Sequence, residues 1–467
     1  MISIDVLPDD VLLSIFDFYV VNQDSFGRKQ QKRAVEAWQA LVHVCRRWRS
    51  VVFGSPRRLN LRLFFGSGTP GDMLDVWPAL PLLISANVHD ADNIVAALEH
   101  SDRVAEIILD SFDGLALEKV FAAMHVPFPE LTSLGIRCLY CKMGTVPPDS
   151  FLGGSAPLLQ SLGLHRIPLP VFPKPLLSAT HLINLRLTDI PHSAYISPEA
   201  MVIVLSTLTR LECLHLGFQS PQSRPDQESR RPPPPTRFVV PVLTSLNFKG
   251  DNGYIDDLVA CIDAPRLNDL DITFFNQIIF NTPQFMQFIS RTPRLKTFQK
   301  AHISFCSDRW VDLACVQLSS QTSGNGRLVV NVRCKELDWK VSSMEQVCTL
   351  SLPPLSTLED LYIVGYIVRR HQQSDRQDNI EDALWLELLH PFTTVKNLYI
   401  SEVFAPHIVH ALQELVGGRA TEVLPTLQNI FLEYLRPWGP VWEGIEKFVA
   451  ARQEPIAVSK WERSQGR

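Results

Sequence analysis

Nowhere does this 467-residue sequence string together the roughly 18 uncharged apolar residues that a membrane span needs. It also lacks a surplus of charge of either sign: 44 Lys and Arg stand against 49 Asp and Glu, a formal net charge of −5. A nucleic-acid-binding domain usually carries a basic face or stripe that neutralises phosphates. Neither nucleic acid nor a membrane is therefore an expected partner. The opening MISIDVLPDD holds Asp5 and no continuous apolar region, so no secretory or transit segment is expected there. Nine cysteines, an odd and scattered set, suit reduced thiols better than a disulfide framework. Together these features point to the cytoplasm or the nucleus.

Catalytic signatures are equally scarce. GSGTPG (66–71) satisfies GxGxxG after the strand-like LNLRLFF, but a dinucleotide site needs a crossover helix opening at its last glycine. Pro78 follows seven residues later, so a turn is the better reading. CLYC (138–141) has no second Cys or His pair at zinc-ligand spacing, and HIVH (407–410) lacks the HExxH glutamate. There is neither a GxSxG elbow nor a protease-like Cys-His signature. No catalytic residue, metal or cofactor is expected, and the chain reads as a non-enzyme.

What the sequence does have is repetition, in a chain that is 46% hydrophobic and long enough to bury a large core. The pattern apolar-x-x-apolar-x-apolar recurs as LTSLGI, LQSLGL, LINLRL, LECLHL, LTSLNF, LNDLDI, LEDLYI, VKNLYI and LQNIFL. Its middle apolar residue falls at Leu134, Leu162, Leu185, Leu214, Leu246 and Leu270, giving spacings of 28, 23, 29, 32 and 24. Weaker copies are read around Ile107, Phe298 and Val330, for about a dozen repeats between Leu80 and Leu432. Helix signals lie between these hexamers. Ser197-Pro198 and Thr282-Pro283 read as N-cap and first-turn proline, and Gly417 as a C-cap. Each strand–helix unit cannot bury its apolar face alone, so the units must stack. A proline-rich, charged insertion is read at 219–237 and a polar one at 369–382.

The first 55 residues carry a different period. Leu12, Ile15, Phe16 and Tyr19 fall at helical spacing, as do Trp38, Leu41, Val44, Cys45, Trp48, Val51 and Val52. Two or three short amphipathic helices follow, and some 50 such residues make a marginal core by themselves.

The repeats resemble the leucine-rich repeat family, although residues 139, 167, 190 and 275 replace its asparagine ladder with apolar side chains, which implies irregular repeats. The N-terminal segment resembles the F-box: Leu7-Pro8, Ile15-Phe16, then Val44-Cys45-x-x-Trp48, with a longer interval between its halves than is usual. The whole chain is similar to a fungal-type F-box protein with C-terminal leucine-rich repeats. The resemblance implies an α/β fold in which an all-α module (1–55) and a connector with a first strand (56–79) precede an irregular horseshoe solenoid (80–467). It implies the substrate-recognition subunit of an SCF-type cullin-RING ubiquitin ligase. Leu7, Pro8, Leu12, Ile15, Phe16, Leu41, Val44, Cys45 and Trp48 would meet a Skp-type adaptor, and through it a cullin. A protein substrate would lie on the repeats. The alternative is an interaction scaffold whose N-terminal helices only cap the solenoid.

Strand alternation points the residues between the anchors away from the core. They are Arg137, His165, Arg186, His215 and Lys249, then Asp271, Tyr362, Tyr399, Phe431 and Glu433. Either these are solvated residues, or the basic set recruits an acidic or phosphorylated segment and the aromatic set forms an anchor.

Overall fold

A computed structural model describes residues 7–21, 36–66, 73–87, 91–139, 145–169, 178–221, 236–275, 279–307, 312–320, 326–353, 355–367, 381–415, 419–433, 438–452 and 455–462. The chain forms two compact units, Met1–Tyr195 and Ile196–Arg467. Each is mixed α/β, built on a mainly parallel sheet.

The first unit opens with three helices, α1 (Asp9–Val21), α2 (Ala37–Val42) and α3 (Arg46–Gly54). Asp9 and Asp10 sit in the first turn of α1, where carboxylates complement the helix dipole. The apolar period across residues 38–52 is not one helix. Cys45 is extended and caps α3, its sulfur accepting from Trp48 N at 3.5 Å, so the chain breaks between Val42 and Arg46. The break turns Val44 outward, to 59% exposure. Leu12, Phe16, Trp38, Leu41, Val42 and Val52 form the module's interior, and the Phe16 and Trp48 rings meet at 4.7 Å.

That interior continues into the sheet. Trp38 is fully buried; its indole N–H donates to the Arg62 carbonyl at 2.9 Å, and its ring packs edge-on against Phe53 and Trp77. Beyond it run β1 (Leu63–Gly66), α4 (Met73–Val76), β2 (Leu82–Asn87), α5 (Ala91–Leu98), β3 (Val104–Phe112), α6 (Gly114–Ala123), β4 (Ser133–Cys138), β5 (Ser161–His165) and β6 (Asn184–Ile190). The six strands pair in parallel, in chain order. Ile107, Leu134, Leu162 and Leu185 are register partners, all buried. The repeating anchor read from the sequence is thus a row of apolar side chains on one face of the sheet.

The second unit comprises α7 (Pro198–Thr207), β7 (Cys213–Phe218), β8 (Phe238–Val239), β9 (Ser245–Gly250), α8 (Asn252–Ala260), β10 (Ile262–Asp263), β11 (Asp269–Phe274) and α9 (Pro283–Arg291). It continues with β12 (Lys300–Ser307), β13 (Asp312–Ser319), β14 (Arg327–Val332), α10 (Leu337–Gln346), β15 (Asp360–Ile367), α11 (Asp382–Leu389), β16 (Asn397–Ile400), α12 (Ala405–Gln413), β17 (Asn429–Glu433), α13 (Pro440–Ala451) and β18 (Ala457–Trp461). Ser197 caps α7, accepting from Ala200 N at 3.2 Å. Thr282 precedes Pro283 at the start of α9 but makes no cap bond.

Strand order here is β7-β9-β11-β14-β13-β12-β15-β16-β17-β18. Leu214, Leu246 and Leu270 are in register, as are Leu361, Leu398 and Ile430. Between these two groups the expected parallel series fails. β13 runs antiparallel to both β12 and β14, and β14 returns to pair with β11. The weak repeat read around Phe298 therefore anchors on Ala301 instead, the register partner of Leu361. The one read around Val330 belongs to the returning strand, where Leu328 rather than Val330 faces Leu270. α12 ends at Gln413, before Gly417, which lies outside the described residues. So do residues 222–235 and 369–380 of the two insertions, 67–71 of the glycine-rich stretch, and Cys141. Seven described cysteines are free thiols, but Cys138 is disulfide-bonded, which corrects the expectation of reduced thiols at that position.

Candidate functional site

The helices of the first unit divide the F-box-like residues into two sets. Leu12, Phe16 and Leu41 are buried, and Leu7, Cys45 and Trp48 are half-buried. Pro8 is exposed, as are Ile15 at 43% and Val44 at 59%. The surface of α1 adds two large apolar residues that sequence reasoning did not select, Val11 and Phe18 at 73% exposure, and exposes Tyr19, which it had placed in the helical stripe. Val11, Ile15 and Phe18 follow the i, i+4, i+7 spacing of one helical face. Arg47 fixes the start of this helix, donating to the Leu7 carbonyl at 2.5 Å and to Asp9 Oδ1 at 2.7 Å.

On the sheet of the first unit, Arg137 and His165 are register partners, and Arg186 stands opposite Gly163, two residues back along the strand. Carboxylates of the same unit lie beside two of them: Asp110 is 4.0 Å from Arg137, and Asp189 is 3.8 Å from His165. His165 also meets the Thr188 hydroxyl at 3.1 Å. Arg186 and Arg137 are exposed. The basic character expected of this face is thus partly neutralised where it arises.

In the second unit, His215, Asn247 and Asp271 share one row, while Lys249 lies two residues further along, opposite Thr273. Burial raises the Asp271 carboxyl above the usual carboxylate range, partly offset by Arg327 and by an Asn331 amide donating at 2.9 Å.

The other end of that row is aromatic. His302, Tyr362, Tyr399 and Phe431 occupy one register position on four successive strands. Their rings stack with centroids 4.1, 4.1 and 4.4 Å apart and planes within 9° of parallel. Strand spacing of about 4.8 Å dictates this: rings at one position of adjacent parallel strands can meet only face to face. Burial raises both tyrosine pKa values. Trp461, from β18, lies across the stack, 5.8 Å from Tyr362 and 5.6 Å from Tyr399 at steep angles. Beneath the rings runs a polar row. Asn397 donates to Asp360 and Asn429 to Asn397, each at 2.7 Å, and Lys300 lies 3.8 Å from Asp360.

The sequence named Tyr362, Tyr399 and Phe431, and the structure brings them together. His302 was missed because its repeat was anchored at Phe298. The polar row was written in the sequence as the residue preceding each anchor, in EDLYI, KNLYI and QNIFL. Nothing local marked Trp461.

Burial, with Lys300 nearby, lowers the His302 pKa, so the stacked imidazole is neutral at neutral pH. The unfolded imidazole takes its proton near about pH 6.5, the folded one at lower pH. Between those values the unfolded state binds more protons, so stability rises with pH; the contribution is complete above the unfolded value and is lost as pH falls. The wild type should therefore lose more melting temperature than His302→Phe, which keeps a ring in the stack, when pH drops from roughly 7 to 5. Equal losses would remove His302 as the titrating group.

Among the described residues no group of three or more His, Cys, Asp or Glu side chains is placed to hold a metal ion, and no helix is long and apolar enough to cross a membrane. His410, of the HIVH stretch, pairs instead with Asp382 at 2.7 Å. A cavity of about 400 Å³ opens among the helices of the second unit, lined by Glu345, Thr349, Leu386, Glu387, His390 and Arg419 among others. Its charges are partly answered locally: Thr349 donates to Glu345, and Arg419 pairs with Glu422 at 3.0 Å. A scan against protein-family models finds no match, and a search of curated proteins finds none.

Proposed function

We propose that this protein is the substrate-recognition subunit of an SCF-type cullin-RING ubiquitin ligase. Its N-terminal helices would act as an F-box for a Skp-type adaptor, and irregular leucine-rich repeats would hold a protein substrate. The observation that carries this reading is the exposure of Pro8, Ile15 and Val44 beside the buried Leu12, Phe16 and Leu41. A stripe that served only its own core would turn all of these inward, and Val11, Ile15 and Phe18, exposed on one face of α1, make an apolar stripe of the kind that marks an interaction site. In-register leucines on helix-linked parallel strands support the repeat reading, with the antiparallel return of β13 and β14 as its departure. The chain contributes proximity: tethering a substrate near the transfer site raises its effective concentration, while ubiquitin chemistry occurs on other subunits.

The test is capture by a purified Skp-type adaptor. Ile15→Asp with Val44→Asp should weaken capture by at least about 100-fold, since each charge would be desolvated in the interface. Melting should stay at the wild-type temperature because both positions are exposed. A wild type that the adaptor does not hold would overturn the ligase reading. The scaffold alternative would then stand, favoured by Trp38, which ties the helices to the sheet through Arg62.

A further inference from the structure

The aromatic stack presents an unusual surface. Tyr362 is covered on one face by His302 and on the other by Tyr399; Tyr399 is covered by Tyr362 and Phe431. Their π faces are therefore hidden, and what remains open is a row of ring edges. Edges carry the positive end of the ring quadrupole, whereas cations seek the negative face. The surface is thus ill suited to Lys or Arg and well suited to the π face of another ring laid across it.

Trp461 does this within the chain. Its register partner is Glu433, so its indole passes over β17 to reach rings on β16 and β15. Both contacts are steep, at 60° and 69°, the geometry of an edge directed at a face. The strand that carries it lies at the end of the sheet order, pairs among the described residues with β17 alone, and leaves Ala457, Ser459 and Lys460 exposed. An edge strand whose residues are mostly exposed opens at lower free-energy cost than the strands inside the sheet.

We propose that the ring edges of His302, Tyr362, Tyr399 and Phe431 form a recognition shelf for an aromatic side chain on an extended partner segment, and that Trp461 occupies this shelf in the uncomplexed protein. The partner ring replaces the indole, and the C-terminal strand competes with the partner for the surface. This rests on the reading of the sheet face as the substrate-binding surface and names the chemistry it selects.

The full-length chain can be tested with a fluorescent peptide copying Ile456–Glu462 as probe, read by anisotropy. Trp461→Leu, which fills space without a π face, should bind the probe about tenfold more tightly than the wild type, because the competent state is no longer masked. A probe with its tryptophan replaced by alanine should lose binding, and adding Tyr399→Ala to Trp461→Leu should abolish it. Equal affinity of wild type and Trp461→Leu, or undiminished binding of the tryptophan-free probe, would overturn the proposal. If Trp461→Leu melts early, Trp461→Phe serves in its place, with a smaller gain expected and equality with wild type again the overturning result. Adaptor capture through the N-terminal helices is a separate readout that Trp461→Leu should leave unchanged, so failure of the shelf and failure of the ligase reading are distinguishable.

Discussion

Trp38→Ala should destabilise the first unit by about 3–5 kcal/mol. The side chain is wholly buried and touches the rings of Phe53 and Trp77, one from the helices and one beyond them. Its removal opens a cavity where two elements meet, which the surroundings can fill only in part. It also strips the Arg62 carbonyl of its indole donor. Trp38→Phe keeps most of the packing and loses the hydrogen bond, so it should cost less, though still about 1 kcal/mol or more. Hydrogen exchange on peptides from β3 and α6 would localise the loss to this unit. Unchanged protection in Trp38→Ala would mean that the helices are not integral to the sheet. Adaptor capture should fall along with stability, although Trp38 is no part of the exposed stripe.

Trp385→Ala should have an effect of similar size in the second unit, again about 3–5 kcal/mol. This indole, on α11, is fully buried against Phe305, with centroids 5.9 Å apart, and Phe404, at 5.5 Å. Here the phenylalanine variant separates two effects. The Trp385 N–H is buried and has no hydrogen-bond partner among the described residues, and an unmet buried donor carries a desolvation cost of about 1–3 kcal/mol. Trp385→Phe removes that donor while keeping a ring, so it should be far milder than Trp385→Ala, and milder than Trp38→Phe. Urea unfolding followed by circular dichroism gives the comparison. The opposite order for the two phenylalanine variants would contradict the contrast between a paired and an unpaired indole.

The sequence made the parallel rows legible wherever one hexamer followed another, because the strand period fixes which side chains face inward. Leu134, Leu162 and Leu185, and again Leu361, Leu398 and Ile430, sit where the pattern put them. It could not reveal that β12, β13 and β14 turn back on one another. A buried strand reads alike in either direction, since alternation carries no sign of orientation. At the N-terminus the helical period continued through Val44 and Cys45 although the helix does not, because a cap formed by a cysteine sulfur leaves no mark in apolar spacing. The aromatic stack was legible as three residues and not as a stack with a lid, since Trp461 reaches it only through the sheet.

The returning strand β14 also bears on how the second unit acquires its structure. In a stack where every strand joins the one before, each new segment can settle as soon as it is made, and the array can open from an end one layer at a time. Here the open edge of β11 waits for β14: the Arg327 side chain donates to Asp269, 58 positions earlier in the chain. Neither β11 nor β12 has both neighbours until the intervening hairpin closes between them. So long a closure raises the contact order and slows the nucleating step. Once made, it locks the layers on either side together, and the middle of this sheet should fold and unfold as a single block.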